Sequence, residues 1–167
     1  GVTFANNTFV GVGDNGNIVR STDNGSSWDN ATSPTASQFA YDGVTSGNNT
    51  FVAMGVFIGR STDNGSSFDN VTSPTANDIR GVTFGNNTFV GVGSYGTIVR
   101  STDNGSSFDN VTSPTSETLM AVSFGNNTFL AVDADGTIVR STDNGTNWDN
   151  VSTSPTSSLL WGVGFIE

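Results

Sequence analysis

The side chains in this sequence that could do chemistry are carboxylates and a few aromatic rings, because histidine, cysteine and lysine are absent. Without histidine the chain lacks the commonest general base and transition-metal ligand, and without cysteine it has no thiolate ligand. A glycosidase needs two carboxylates that face each other. The candidates outside the repeated positions are Asp14, Asp42, Asp78, Asp133 and Asp135. Asp133 and Asp135 lie one residue apart in a predicted turn, a pattern typical of solvated side chains, so we expect no catalytic residue, metal or cofactor.

The overall charge narrows the class of partner. Fifteen acidic residues against five basic ones give a formal net charge of −10. Nucleic-acid binding requires a basic surface, so a nucleic-acid partner is not expected. No apolar run approaches the roughly 18 residues of a membrane-spanning segment, so membrane insertion is not expected either.

The chain is organised as a repeat with a period of 40 residues. The sequence Arg-Ser-Thr-Asp-Asn-Gly begins at Arg20, Arg60, Arg100 and Arg140. Repeats in this length range are typical of solenoids and propellers, and four strands in 40–45 residues are typical of a propeller blade. The predicted blades cover approximately 1–40, 41–80, 81–120 and 121–160, within a single domain of 1–167.

Each repeat contains four short β-prone runs separated by Asn- and Gly-rich turns. In the third copy these runs are 82–84, 88–93, 97–102 and 107–111. Asn and Gly accept positive φ at low cost, which suits tight β-turns. No segment has helical periodicity of useful length. The sequence therefore predicts an all-β fold, a β-propeller of four-stranded antiparallel blades.

The segment from Ser101 to Phe108 resembles the Asp-box of sialidase-type β-propellers, Ser/Thr-x-Asp-x-Gly-x-Thr-Trp/Phe. The whole repeat is similar to the propeller of the photosystem II assembly factor family. That resemblance implies a structural hairpin, remote from the ligand face, in which the aspartate bonds across its own turn and the aromatic ring packs between blades. A cation bound by the four aspartates is the alternative. The motif residues are Ser21, Asp23, Gly25, Trp28; Ser61, Asp63, Gly65, Phe68; Ser101, Asp103, Gly105, Phe108; and Ser141, Asp143, Gly145, Trp148.

The resemblance to sialidases also raises an enzymatic alternative, a sialidase-like glycoside hydrolase fragment. Such an enzyme would require an arginine triad, an acid/base carboxylate and a Tyr–Glu pair. The chain offers only Tyr41, Tyr95, Glu117 and Glu167 for that pair, and four of its five arginines occupy one repeat position. We therefore expect a protein that is not an enzyme.

The positions at which the copies differ are the candidate ligand contacts. They lie in the second turn of each copy and in the links between copies. We predict that Tyr41, Phe57 and Tyr95 are exposed and could stack on sugars or anchor a protein. Arg80 is the one arginine outside the repeated position. The sequence thus indicates a binding or scaffold module for protein or carbohydrate, recently amplified or engineered; the alternative is a glycan-binding appendage of a virion or cell envelope, and such a surface location is the expected one.

Residues 161–167 resemble one more first strand of a repeat, which gives five first strands for four blades. Three arrangements would use the surplus strand: a longer propeller, a closure device in which it overlaps the first strand, or pairing with another molecule. The last arrangement predicts a homo-oligomer.

Overall fold

The computed structural model describes residues 1–34, 39–151 and 154–165, which form four four-stranded antiparallel sheets. The strand order within each sheet follows the sequence. The predicted all-β architecture, with four propeller blades of four antiparallel strands in this chain, is therefore confirmed. The strands are β1 (Val2–Ala5), β2 (Thr8–Val12), β3 (Ile18–Ser21) and β4 (Asp29–Asn30) in blade 1; β5 (Tyr41–Gly47), β6 (Thr50–Gly55), β7 (Ile58–Ser61) and β8 (Asp69–Val71) in blade 2; β9 (Ile79–Gly85), β10 (Thr88–Gly93), β11 (Ile98–Ser101) and β12 (Asp109–Val111) in blade 3; and β13 (Leu119–Gly125), β14 (Thr128–Asp133), β15 (Ile138–Ser141) and β16 (Asp149–Asn150) in blade 4.

Paired asparagines connect the first two strands of every blade. In blade 3, Asn86 and Asn87 have φ values of 47° and 57°. Two consecutive left-handed residues match the right-handed twist of a tight hairpin, and asparagine tolerates that conformation better than most residues. The turn fixes the register of β9 on β10, in which Gly85 pairs with Thr88.

The first strands are longer than the sequence predicts, because the ends of the inter-blade links join the sheet. Strand β9 begins at Ile79, which pairs with Gly93 across a register shift. Arg80 therefore belongs to the innermost strand of blade 3, although the sequence pattern places it in a link.

The hydrophobic core consists of layers between neighbouring blades. One phenylalanine from the second strand of each of blades 2, 3 and 4 is fully buried: Phe51, Phe89 and Phe129. Close approach of the innermost strands requires glycine. A Cβ atom at Gly47 or Gly85 would overlap the ring of Phe84 or Phe124 in the following blade. Each blade thus packs on the next through matching sequence positions.

The outer faces of the first and last blades differ from the layers between blades. On blade 1, Val2, Phe4 and Trp28 are exposed. Beyond blade 4, residues 160–165 form no strand, but the ring of Phe165 lies against Gly125 as Phe124 lies against Gly85. This segment therefore occupies the place of a further first strand. The last two residues of the surplus strand predicted at 161–167 lie outside the described residues.

Candidate functional site

The antiparallel order of the strands separates two kinds of connection. The Asn-Asn turns and the Ser-Thr-Asp-Asn-Gly hairpins (21–28, 61–68, 101–108 and 141–148) lie at one end of the blades, here called the hairpin end. The turns between second and third strands and the links between blades lie at the opposite end, here called the link end. The link end contains all four residues predicted as ligand contacts, Tyr41, Phe57, Arg80 and Tyr95.

The aspartate of each hairpin is bonded within its own turn. In blade 3, Asp103 accepts hydrogen bonds from Ser101 Oγ at 2.8 Å, from Ser107 N at 3.0 Å and from Ser107 Oγ at 2.6 Å. The amide of Gly105 donates to Ser101 Oγ at 2.9 Å. Partial burial raises the pKa of Asp103, but the hydrogen bonds from Ser107 and Ser101 outweigh it and lower the pKa to about 2. This carboxylate is therefore ionised at neutral pH, and its hydrogen bonds stabilise the turn.

The same hairpin contacts the preceding blade. Asn104, at φ 62°, donates from Nδ2 to Thr50 Oγ1 at 2.7 Å, and its carbonyl accepts from Arg60 Nε at 2.9 Å. Gly105 lies against Val52, and the ring of Phe108 is buried. The repeated arginine is thus a partner of the next blade's hairpin. These contacts fit the structural role that the sequence resemblance implies.

No three described side chains of Asp, Glu, His or Cys come together as a group that could hold a metal ion. The described residues likewise include no helix long and apolar enough to cross a bilayer.

Two of the four predicted contacts do not have the expected exposure. Tyr41 is buried in the layer between blades 1 and 2, and its hydroxyl has no hydrogen-bond partner in the described structure. The prediction that Tyr41 is exposed is therefore wrong. It occupies the first position of β5, which corresponds to the buried Ile79 and Leu119 in the next two blades. Phe57 is half-buried and packs edge-on against Phe39, with ring centroids 4.8 Å apart.

The other two, Arg80 and Tyr95, line one hollow of about 440 Å³ at the link end, between blades 3 and 4. Both side chains are exposed. The remaining lining residues are Ala76, Asn77, Asp78, Ser94 and Thr118. We call this feature the Tyr95 hollow. The lining comes from a second turn and from links, where the copies differ, but the sequence does not show that these positions meet.

Tyr95 is held in an unusual conformation. Its φ is 56°, in the left-handed region that bulky residues rarely adopt, and 78% of its surface is exposed. Blade 1 has Asn15 at the corresponding position, with φ 58°. The turn is anchored on both sides, because Ser94 N donates to Asp78 O and Gly96 N donates to Glu117 O, each at 2.9 Å. The fold therefore presents the ring to solvent from a rigid turn.

The electrostatics of the link end are set by acidic side chains with one arginine among them. Burial raises the pKa of Asp42; Arg80 opposes this shift, while the nearby Asp78 and Asp14 add to it. Asp42 and Arg80 occupy the same position in neighbouring innermost strands. The region can therefore offer hydrogen-bond acceptors and a single guanidinium to a ligand.

The pair Asp133 and Asp135 does not form a solvated pair. Asp133 is fully buried, so the expectation that it is solvated is wrong. Its Oδ1 accepts from the amides of Asp135 at 2.9 Å and Thr137 at 2.7 Å. Asp133 braces the turn between β14 and β15, and Asp135 is exposed. The two carboxylates do not face each other across a shared site.

A second groove, of about 480 Å³, lies between the outer strands of blades 3 and 4. Asn110, Pro114, Asn147 and Trp148 are among its lining residues. Sequence reasoning missed this groove because its residues occupy repeated positions, where the copies give no contrast.

No protein-family model and no curated protein sequence match this chain. Solved structures do match. A structure described as YCF48 bound to D1 peptide has a TM-score of 0.74 and 20% identity, over 96% of this chain and 54% of that one. The computationally designed Ika8 protein has a TM-score of 0.75 and 16% identity, over 99% of this chain and 52% of that one. An ancestral GH74 enzyme has a TM-score of 0.73 and 20% identity, over 92% of this chain and 24% of that one.

At these identities the likeness shows the propeller fold alone. The chain spans about half the length of YCF48 and of Ika8.

Proposed function

We propose that this chain is a non-catalytic binding module and that its ligand contacts the Tyr95 hollow. The observation that carries the proposal is the conformation of Tyr95, an aromatic residue held with positive φ and with most of its surface in solvent. A left-handed conformation costs a residue with a Cβ atom about 1 kcal/mol or more, and such outliers cluster at functional sites. The ring does not offset this cost by packing, because it is exposed; the hydrogen bonds of Ser94 and Gly96 hold the turn instead. The fold thus keeps the ring in solvent, where a ligand can contact it.

The ligand we favour is a segment of polypeptide. The ring of Tyr95 supplies a rigid apolar surface for a side chain, with little entropy to lose on binding. Arg80 and Asp78 flank the hollow and can bond to backbone or side-chain groups of either polarity. A peptide-bound structure among the similar propellers is consistent with this choice of ligand class.

Carbohydrate is the second candidate, and the polar lining of the hollow favours it. Asn77, Asp78 and Arg80 surround an exposed aromatic ring, an arrangement that can stack on a sugar and bond to its hydroxyls. A glycan-binding appendage of a virion or cell envelope would use the hollow in this way.

The absence of catalysis is part of the proposal. Asp133 accepts hydrogen bonds from two backbone amides, and each hairpin aspartate accepts hydrogen bonds within its own turn. These carboxylates are therefore not free to act as an acid and base pair. A sialidase-like hydrolase fragment would need such groups. Hydrolysis of sialosides or other glycosides by the purified chain would contradict this part.

The binding proposal is tested by selecting ligands from a random peptide display library and from a glycan array with the same purified chain. Tyr95→Asn removes the ring but keeps a residue that blade 1 accommodates in the same turn, and Arg80→Gln removes the positive charge of the hollow. Arg140→Gln, at an exposed arginine outside the hollow, is the matched control. We expect the selected peptides, measured as soluble monovalent ligands, to lose at least about tenfold in affinity with Tyr95→Asn and to keep their affinity with Arg140→Gln.

Ligands that bind all three variants as well as the original chain would place the site elsewhere and refute the proposal. Selection of glycans with the same dependence on Tyr95, in the absence of peptides, would favour the second candidate.

A further inference from the structure

The contacts between neighbouring blades are a repeated interface with two complementary halves. One half is the hairpin, with its asparagine, glycine and aromatic residue. The other half is the second and third strands of the preceding blade, with a threonine, a branched apolar residue and an arginine. Between blades 3 and 4, Asn144 Nδ2 donates to Thr88 Oγ1 at 2.7 Å, and Arg100 Nε donates to Asn144 O at 2.7 Å. Blades 2 and 3 repeat both bonds, and blades 1 and 2 repeat the first, from Asn64 to Thr8 at 2.6 Å.

Blade 1 presents the hairpin half of this interface, and no blade among the described residues receives it. A Cβ atom on Gly25 would meet nothing within 4 Å, whereas one on Gly65 would meet Val10 at 2.7 Å. Trp28 is 45% exposed, and the corresponding Phe68 and Trp148 are 3% and 6% exposed. This half-interface is preformed, because Trp28 Nε1 donates to Gly25 O as Trp148 Nε1 donates to its own glycine.

Blade 4 presents the receiving half, and no hairpin from residues 1–34, 39–151 or 154–165 lies in it. Arg140 is exposed, whereas the arginines at the same position in blades 1 to 3 are half-buried. Thr128 and Leu130 are half-buried, whereas their counterparts in the other three blades are fully buried. The two open faces of the chain therefore carry the two halves of the interface that its own blades form three times.

We propose that the occupant of both faces is a second copy of this chain, so that two four-bladed arcs close head to tail into one ring. Such an interface is heterologous, and it closes only when the turn made by the arc fits the number of copies. Four blades match about half of the length of solved propellers of this shape, so two copies supply about one ring. In each interface Asn24 and Gly25 of one copy meet Thr128, Leu130 and Arg140 of the other.

The segment 160–165 competes with this closure. In a closed ring, Phe4 of the second copy would occupy the place on Gly125 that Phe165 now fills. The segments Gly1-Val-Thr-Phe4 and Gly162-Val-Gly-Phe165 share three of four residues. Strand β1 is paired with β2 over four residue pairs, whereas 160–165 forms no strand. Displacing 160–165 therefore breaks fewer backbone hydrogen bonds than displacing β1 would. Phe165 thus covers part of the receiving face and can be displaced by the second copy; we call it the plug.

Multi-angle light scattering over a concentration series tests the proposal on the 167-residue chain. We expect a mass that rises with concentration to twice 17.3 kDa and stays there. Arg140→Glu should raise the dissociation constant about a hundredfold to ten-thousandfold, because a hydrogen bond from a charged group is lost in each of the two interfaces of the ring. Arg80→Glu makes the same charge change at the link end and should leave the dissociation constant unchanged.

Two further variants separate an interface effect from misfolding. Asn24→Gly keeps the left-handed turn but removes the side-chain amide on the opposite half of each interface, and it should weaken the pair about 25-fold. Phe165→Ala removes the plug and should strengthen the pair. All variants should keep the circular dichroism spectrum of the original chain.

A mass of 17.3 kDa at every concentration would overturn the proposal and leave the two faces to further blades of a longer polypeptide. A mass that keeps growing with concentration would overturn the closed ring. Equal dissociation constants for Arg140→Glu and Arg80→Glu would overturn the assignment of the faces.

Discussion

Replacement of Asp103 by alanine tests whether the repeated hairpin holds neighbouring blades together. The substitution removes the acceptor of three hydrogen bonds within the turn. These bonds are near the surface and partly screened by solvent, so their loss costs about 2 kcal/mol in total. A loosened turn also weakens the docking of Phe108 against blade 2, which adds about 1–2 kcal/mol, a part of the value of a buried aromatic ring.

The expected loss is therefore about 3–4 kcal/mol. For a domain of this size that loss corresponds to a fall in Tm of roughly 6–16 °C.

Asp23→Ala is the matched control, because it separates the two contributions. Asp23 accepts the same three bonds, from Ser21 and from the amide and hydroxyl of Ser27. Its hairpin contacts no preceding blade within the described part of the chain, so only the bonds within the turn are lost. The difference between the two variants then measures the docking of one blade on the next, about 1–2 kcal/mol.

Urea denaturation followed by circular dichroism gives the free energies of unfolding, provided that two spectroscopic probes report one coincident transition. Both substitutions are made in the Arg140→Glu background, so that a second copy does not dock on the hairpin of blade 1. Equal losses for Asp103→Ala and Asp23→Ala would refute the view that the hairpin joins blades. It would then be a local turn and nothing more.

Three other predictions concern pH, close packing and a buried hydroxyl. The four hairpin aspartates have a pKa of about 2, below their ordinary 3.8, so their contribution to stability is full above about pH 4 and is lost as the pH falls towards 2. The urea concentration at the unfolding midpoint should fall over the same pH range. The fall should be smaller in Asp103→Ala, which lacks one of the four carboxylates. Gly85→Ala makes a methyl group overlap the ring of Phe124 and should lower the free energy of unfolding by about 1–3 kcal/mol. The control is Gly13→Ala, where the added Cβ atom meets nothing within 4 Å; it should leave the free energy of unfolding unchanged in the same denaturation assay. Tyr41→Phe removes a buried hydroxyl that has no partner among the described residues, so the Tm should stay the same or rise, and a fall of several degrees would show that the hydroxyl is bonded.

The repeat made most of the fold predictable. The fixed spacing of the hairpins and the Asn-Asn and Asn-Gly turns define where strands end, and alternation along each strand does the rest. The second strand of blade 3 lies at 88–93, as the sequence predicts. The predicted first strand of blade 3 is shorter than the observed one, because the pairing of Ile79 with Gly93 depends on a bulge that no local pattern signals.

The candidate site was less predictable, because exposure depends on register. Tyr41 looked like a rim residue in a variable link, but the shifted spacing of the second copy places it at a core position. The sequence pattern predicts that Asp133 is solvated. The other blades have glycine at this position, and here the buried carboxylate instead accepts hydrogen bonds from the backbone amides of its own turn. The exposure of Tyr95 is as the sequence predicts, since this residue lies at the tip of a turn. Its left-handed conformation, which carries the functional proposal, depends on the surrounding fold.

The two proposals together predict a bivalent molecule. In the closed pair, the Tyr95 hollow of each copy lies at the link end, so both hollows open on the same face of the ring. A surface that carries many copies of a ligand would then engage both hollows at once, with a gain of about 10²–10⁴ over a single contact. Dissociation from a densely coated surface should therefore be much slower for the original chain than for Arg140→Glu. The affinity for a free monovalent ligand should be the same for both, because Arg140 is not part of the hollow. Equal dissociation from the dense surface would mean that the chain binds as a single arc, whereas a difference in the monovalent affinity would mean that closure reshapes the hollow itself.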